Sequence, residues 1–432
     1  MSASLRAPVA FAVMAALLLA VGFLQSWSVA LAIFNLCLIS SIMALGTNIQ
    51  WGYAGLFNVG IMAFTAMGGI AAVLVSHPPV REAWAAGGAG LMISLVILIA
   101  IAVLVVLIQS RLPAGWVRRL SMIAVLIVGL LLLQRFFGAS TSAIEAVDPA
   151  KTGFLGGLGL PILLSWIVGG LFAAGVAWLI GKIALGLRSD YLAIATLGIS
   201  EIVIAVIKNE DWLVRGVKNV TALPRPVPYE VNLQQTDWFI RLVERFNAGR
   251  LEAVGDPVAR ADLLNTLVVE GSSLFVKLCY SGLFLVVLLI ILGLSQRALN
   301  SPWGRMMRAI RDNDEAASAM GKNVTWRHLQ VFVLGSAVVG IAGAMMTTLD
   351  GQFTPGSYQP LRFTFLVWVM VIVGGSGNNL GAVFGGFLIW FIWIEAEPVS
   401  LFLMNAITSD MDAGSPVRLH LIDSAPHLRL FV

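Results

Sequence analysis

The chain has 432 residues, 59% of them hydrophobic and 12% charged, with a mean hydropathy of +0.90 and a formal net charge of +4. A soluble globular domain carries about 25% charged and about 45–50% apolar residues, so an ordinary cytosolic enzyme, a disordered chain and a nucleic-acid binder are excluded. At about 20 residues per helical span, the composition implies an all-α polytopic transmembrane protein of about 10–11 spans, one of them broken or re-entrant.

In chain order, Arg6 precedes an apolar run over 8–24, which reads as a retained first span because hydrophobicity continues beyond it. Further runs at 27–48, 55–75, 84–108, 120–137, 157–182 and 191–207 complete an N-terminal transmembrane half, 1–208. Residues 209–271 are polar and carry Pro224, Pro226, Pro228 and Pro257, which predicts an external loop or small cap with one short helix near 236–247. Spans at 272–295 and 329–349 follow. A block at 363–394 is interrupted by GGSGNNLG, Gly374 to Gly381, and reads as a tight pair or a re-entrant half-span followed by a full one. These make a C-terminal half, 272–394, before an external tail over 395–432. The apolar restart at Leu430–Val432 predicts a further span in a longer natural product.

Charge orients the spans. Arg111, Arg118 and Arg119 form one basic loop, and the segment between Ser295 and Leu329 carries six basic residues against three acidic ones. The positive-inside bias places both in the cytoplasm. Counting alternately from a cytoplasmic N-terminus at Arg6 puts 208–271 and the tail outside. Cys37 and Cys279 fall in apolar runs, and the four histidines match no ligand spacing, so no metal or cofactor is expected. GxxxxGK[ST], HExxH and GxSxG patterns are missing. The chain reads as a non-enzymatic protein, whose energy coupling would come from another polypeptide.

Three segments carry functional information. In NIQWGYAGLFNVG, Asn48, Gln50, Tyr53 and Asn58 stand between apolar runs with Gly55 and Gly60. Buried amides need partners, so this stretch either packs a helix junction or lines a polar path. In LRSDYLAIATLGISEI, Glu201 lies eleven residues after Asp190, or about 16 Å along a helix. It is either a pathway acid or one that reaches headgroups at the opposite interface. In SPWGRMMRAIRDNDEAASAMGKN, Ser301 suits a cap, Pro302 a first turn and Gly321 a C-cap, with Arg308–Asp312 and Arg311–Glu315 spaced for pairing. This is an interfacial helix or a docking helix. The small residues Ala316, Ala317 and Ala319 favour close approach by a partner.

GYAGLFNVG, DYLAIATLGISEI, SPWGRMMRAIRDNDEAASAMG and VGGSGNNLGAVFGG together resemble, in the same order, the inner-membrane permeases of branched-chain amino-acid ABC transporters of the LivM type. The resemblance covers about residues 35–75, 180–225 and 295–395. It implies a multi-pass subunit of the bacterial inner membrane that forms the pathway with a related LivH-type permease. Two cytoplasmic ATPase subunits and a periplasmic binding protein would complete an importer of leucine, isoleucine and valine. It also implies that Asp314-Glu315-Ala316-Ala317 with Gly321 is the ATPase-coupling element, flanked by Arg305, Arg308, Arg311 and Asp312. The Gly52–Gly60 stretch and Gly374, Gly375 and Gly377 would be packing and pathway elements. The 109–156 and 226–270 regions look longer than in the usual permease, and VRGVKNVTA, 214–222, only weakly echoes its glycine-rich external stretch. A permease for urea or short amides is the alternative within the class. A stand-alone secondary transporter or channel is the alternative outside it, and transport without ATPase subunits would tell them apart.

Overall fold

The computed structural model describes residues 3–113, 115–148, 152–409, 411–412 and 415–425. The apolar restart at Leu430–Val432 lies outside the described residues. Every long element is a helix: α1 (Ala3–Leu24), α2 (Trp27–Ala54), α3 (Ile61–Ser76), α4 (Arg81–Arg111), α5 (Trp116–Glu145), α6 (Ile162–Ala184) and α7 (Ser189–Asn209) come first. An irregular cap over 210–256 holds single-turn helices and one longer one, α8 (Asp237–Phe246), where the sequence places a short helix. Then come α9 (Pro257–Asn300), α10 (Pro302–Asp312), α11 (Asp314–Ala319), α12 (Val324–Asp350), α13 (Pro360–Gly374), α14 (Asn379–Ile407) and α15 (Pro416–Ser424). Among the described residues nine helices are long and apolar enough to cross a membrane, and α3 and α13 are shorter apolar ones.

Local chemistry starts and stops these helices. The Ser26 hydroxyl accepts from Val29 N–H at the head of α2, and the Asn323 side chain does the same for Trp326 at the head of α12. Asp256 accepts from Val258 and Ala259 N–H, and Pro257 occupies the first turn. For that reason α9 begins at 257 and takes residues that the sequence assigns to the 209–271 loop. The interrupted block resolves into a pair: α13, 15 residues and about 22 Å long, then a full span. That second span does not stop at 394. It runs through Pro398 to Ile407, since Leu401 to Leu403 continue the apolar run. Glu395, placed by the sequence at the start of the tail, is therefore a buried acid inside α14; its Oε2 accepts from Gln25 Nε2 at 2.7 Å.

α12 is the hub, packed on α6, α3 and α2. Glycine lets the backbones approach where a side chain would not fit: a Cβ at Gly340 would stand 2.5 Å from the Gly169 carbonyl, and one at Gly68 would strike the Gly340 carbonyl. α2 bridges α12 to α14 and α9. α4 and α5 form a hairpin at the periphery, packed chiefly on each other, with only 6% of either apolar window buried.

Candidate functional site

The polar residues of α2 and the loop after it converge at the arginine-rich end of the bundle. Asn48, fully buried, donates from Nδ2 to Asn379 Oδ1 at 3.1 Å, and its Oδ1 accepts from Gly377 N–H at 2.8 Å. Asn379 donates in turn to Gln296 Oε1 of α9 at 3.1 Å. Two residues on, Gln50 Nε2 donates to the Phe332 carbonyl (2.9 Å) and to Ser336 Oγ (3.0 Å) of α12. Its Oε1 accepts from Asn58 Nδ2 at 2.8 Å. Asn58 Oδ1 accepts from Gly60 N–H (2.9 Å), while its carbonyl accepts from the Trp368 indole of α13 (3.0 Å). α7 contributes hydroxyls: Thr196 accepts from Val59 N–H and Ser200 from Ala63 N–H.

The result is a buried amide network that joins α2, α7, α9, α12, α13 and α14 through two stretches of non-helical backbone, 55–60 and 375–378. Irregular backbone at membrane depth survives only where protein satisfies it, and here side-chain amides and hydroxyls do so. Asn48, Gln50, Asn58 and Gly60, identified in the sequence, belong to this network, with Gly377; Gly374 and Gly375 close the adjoining turn. Tyr53 is buried beside it, within reach of the charges of Arg308 and Arg311. Gln296, Thr196, Ser200, Ser336 and Trp368 are members that sequence reasoning passed over. Their only signal was a hydrogen-bonding group in an apolar run.

The polar segment 301–323 is two helices, not one. Asn313 is extended (φ −160°) and its side chain accepts from Ala316 N–H at 2.9 Å, so it ends α10 and caps α11. The break separates Arg311 from Glu315, and the pairs expected at Arg308–Asp312 and Arg311–Glu315 do not form; Arg311 Nη2 meets Asp312 Oδ1 at 3.0 Å instead. Ser301 donates back to the Ala298 carbonyl rather than capping α10. Gly321, as expected, is left-handed (φ +76°) at the end of α11. Ala316, Ser318, Ala319 and Met320 are exposed, whereas Ala317 is half-buried against the core, so the outward small-residue face excludes Ala317. Arg305, Arg308, Asp312 and Glu315 are exposed.

One side chain joins this elbow to the network. Arg311 Nη1 donates to the Gly52 carbonyl at 2.7 Å, beside Gly55 and Gly377. Both glycines have positive φ (+70° and +80°), and a Cβ on Gly55 would lie 3.2 Å from Arg311 Cγ. Glycine is needed here for the turn and for the arginine's approach. Glu201 is not part of the assembly: it is exposed on α7, on a face with Ile194, Gly198 and Ile202.

Among α2, α3, α12, α13 and α14 lies an apolar cavity of about 110 Å³, walled by residues including Ile39, Met43, Met62, Met346, Leu366 and Met370. Trp390 also lines it, and its indole N–H has no hydrogen-bond partner. Among the described residues no three His, Cys, Asp or Glu side chains gather as a metal site.

A family model described as "Branched-chain amino acid transport system / permease component" matches residues 117–401. The high-affinity branched-chain amino acid transport system permease protein LivM of Escherichia coli is 27% identical over 222 residues, 51% of this chain and 48% of that one. A LivM described as probable from Methanocaldococcus jannaschii is 32% identical over 90 residues, 21% of this chain and 26% of that one. The xylose transport system permease protein XylH of Escherichia coli is 31% identical over 108 residues, 24% and 28% of the two chains. The chain spans about half the length of the LivM proteins of Escherichia coli and Salmonella typhimurium that it matches. No solved structure gives a significant match.

Proposed function

This chain belongs to the branched-chain amino acid transport system permease family, and from that premise we propose that it is one of two paired permeases of an ATP-driven amino-acid importer. The observation that carries the reading is the Arg311–Gly52 contact. α10, packed on the bundle through Met307 and Ile310, and the exposed α11 form a short elbow at its end, and a docking ATPase subunit would press on the Ala316, Ser318, Ala319 and Met320 face. Arg311 would pass that displacement to the end of α2 and the 375–378 turn, and the amide network would distribute it to six helices. A network with every amide satisfied is stiff, because any shift breaks several hydrogen bonds together. It would therefore move as a body and open or close a path against the second permease. The chain itself would catalyse nothing; hydrolysis belongs to the two ATPase subunits, and a periplasmic binding protein would deliver the substrate.

The apolar cavity supports leucine, isoleucine or valine over a sugar. Its methionine, leucine and isoleucine side chains outnumber its polar groups, Ser40, Thr65, Ser357, Tyr358 and the unpartnered Trp390 N–H, and offer a mostly apolar surface to a branched alkyl group. Its volume of about 110 Å³ is of side-chain scale.

The test is co-purification and uptake with the paired permease and both ATPases. Ala316→Trp with Ala319→Trp adds bulk on the outward face, and the chain should insert and keep its permease partner. Bound ATPase and ATP-driven uptake of radiolabelled leucine should both fall. Normal ATPase stoichiometry in this variant would remove the docking role. Uptake into proteoliposomes without ATPase subunits, driven by an ion gradient, would replace the reading with a secondary transporter. The orientation has its own check: on intact spheroplasts an impermeant thiol reagent should label Ala248→Cys and not Ser318→Cys.

A further inference from the structure

The arginine-rich end also carries an apolar cleft outside the amide network. It runs between α9 and α12, with Ile49 of α2 among its lining residues, and has a volume of about 390 Å³. Its walls include Ile291, Leu294, Leu299, Leu334 and Ile341. Leu294 and Leu334 are 60% and 43% exposed, so the cleft is open along its side. Leu334 and Ile341 lie ten and seventeen residues into α12, about 15 and about 25 Å along its axis. That is hydrocarbon depth, and the opening faces acyl chains.

The end of the cleft is different in character. Trp303 lines it, and its indole N–H donates to Gln330 Oε1. The same oxygen accepts from Arg327 Nη1 at 3.0 Å, which fixes a guanidinium beside the tryptophan. Arg305 donates to the Asn300 carbonyl and Arg308 to the Leu299 carbonyl, Leu299 itself being a wall residue. Among the described residues none of these three arginines has a carboxylate within 4 Å. The three arginines thus anchor on Asn300, Leu299 and Gln330, next to the end of the cleft that Leu299 and Trp303 line, each holding a neutral acceptor with part of its donor set. Tryptophan and arginine at that depth are interfacial groups, and basic pockets between membrane helices take anionic headgroups.

We propose that this cleft binds one anionic phospholipid of the leaflet at the arginine-rich end, with an acyl chain along α9 and α12 and the phosphate among Arg305, Arg308 and Arg327. Both halves of the site are needed. A zwitterionic lipid gains the apolar wall without net charge complementarity, and inorganic phosphate gains the charge without the wall. The phosphate would bracket α10, so lipid charge would bear on the position of the elbow.

Native mass spectrometry of the full chain, titrated with phosphatidylglycerol and with phosphatidylcholine of identical acyl chains, tests the proposal. Phosphatidylglycerol should be retained about fivefold more than phosphatidylcholine, the factor expected from one basic residue at the surface, or more. Arg327→Gln should cut phosphatidylglycerol retention by about the same factor and leave phosphatidylcholine unchanged. Leu334→Trp, which fills the cleft, should lower both, and millimolar inorganic phosphate should displace neither. Equal retention of the two lipids, or retention indifferent to both variants, overturns the proposal. So does cross-linking of Leu334→Cys to another polypeptide in native membranes, because a protein would then occupy the cleft.

Discussion

α2 and the α4–α5 hairpin are both built from apolar residues, yet they stand at opposite extremes of the molecule. In α2, 72% of the apolar window is buried, and the helix carries Asn35, Asn48 and Gln50 at its contacts with α9, α14 and α12. In α4 and α5 the figure is 6%, and leucines, isoleucines and valines point outward except along the face each helix turns to the other. Apolarity does not decide which is core: α4 is more apolar than α2 (mean hydropathy 3.5 against 2.2) and α5 matches it (2.2), yet both hairpin helices lie at the surface. Water would impose the reverse. In lipid, apolar side chains gain nothing by facing each other, so association is left to close packing and hydrogen bonds. The proposed coupling elements follow the same division: the elbow reaches α2, and among the described residues nothing comparable reaches the hairpin.

The comparison breaks most visibly at Gln50. Gln50→Leu leaves Asn58 Nδ2 without its acceptor in a buried site and takes the second donor from the Phe332 carbonyl, at a cost of about 1–3 kcal/mol. Gln109→Leu on the exposed side of α4 makes the same chemical change, and its effect should stay within about 0.5 kcal/mol. Unfolding of the two purified variants in the same detergent measures the difference. Equal losses would mean that the network does not hold the core.

Next comes the link between elbow and core. Arg311→Gln removes the donor to Gly52, but the side chain is 37% exposed, and solvent limits the stability loss to about 1 kcal/mol. Its effect on function should be larger. With the elbow uncoupled, ATP-driven uptake should fall at least about tenfold, a coupling loss of about 1.4 kcal/mol, while ATPase binding is kept. Uptake and co-purified ATPase, measured on one preparation, separate coupling from docking. Loss of both would make Arg311 part of the docking surface instead.

Gly321→Val has a smaller, local effect. A Cβ there meets open space, so only the left-handed backbone opposes it, at about 1–2 kcal/mol. The turn after α11 should fray without unfolding the bundle, read as faster amide exchange over 318–323. Exchange unchanged from wild type would show that the turn tolerates a β-branched residue and that the glycine is there for a partner.

Much of this architecture was legible in the sequence, because spans are written as runs of hydrophobic residues and such runs need no partner to be recognised. Among the described residues the eleven apolar helices were readable in that way, and the short α8 in the cap and the break at Gly374–Gly381 were readable from the polar and turn-forming residues between runs. What failed has one physical source. Helices continue past their apolar stretch wherever a cap or favourable packing lies beyond it, as Asp256 and Pro257 extend α9 and as α14 carries Glu395 past the expected boundary. The network was half visible: Asn48, Gln50 and Asn58 stand out, whereas Thr196 and Ser200 look like ordinary small residues until α7 sets them against the 55–60 backbone. The Arg311–Glu315 pairing was misread because i,i+4 spacing presumes an unbroken helix, and Asn313 caps a second helix instead; Arg308 and Asp312 share α10, but Asp312 meets its neighbour Arg311.

An expected near-zero effect, at Leu131, checks the contrast between α2 and the hairpin against a large one at Leu45. Leu131 of α5 is 62% exposed, and Leu45 of α2 is fully buried. Leu45→Ala should open a cavity among α2's neighbours and cost about 2–5 kcal/mol, as large-to-small changes in packed interiors do. Leu131→Ala should cost less than about 0.5 kcal/mol. In the unfolded-but-inserted state the leucine touches lipid, and in the folded state it still does, so shortening it changes neither side of the equilibrium. If Leu131→Ala destabilises the chain as much as Leu45→Ala does, the outer face of the hairpin packs against protein rather than lipid. The hairpin would then belong with α2 as an interface, and its exposed leucines would mark where a second polypeptide sits.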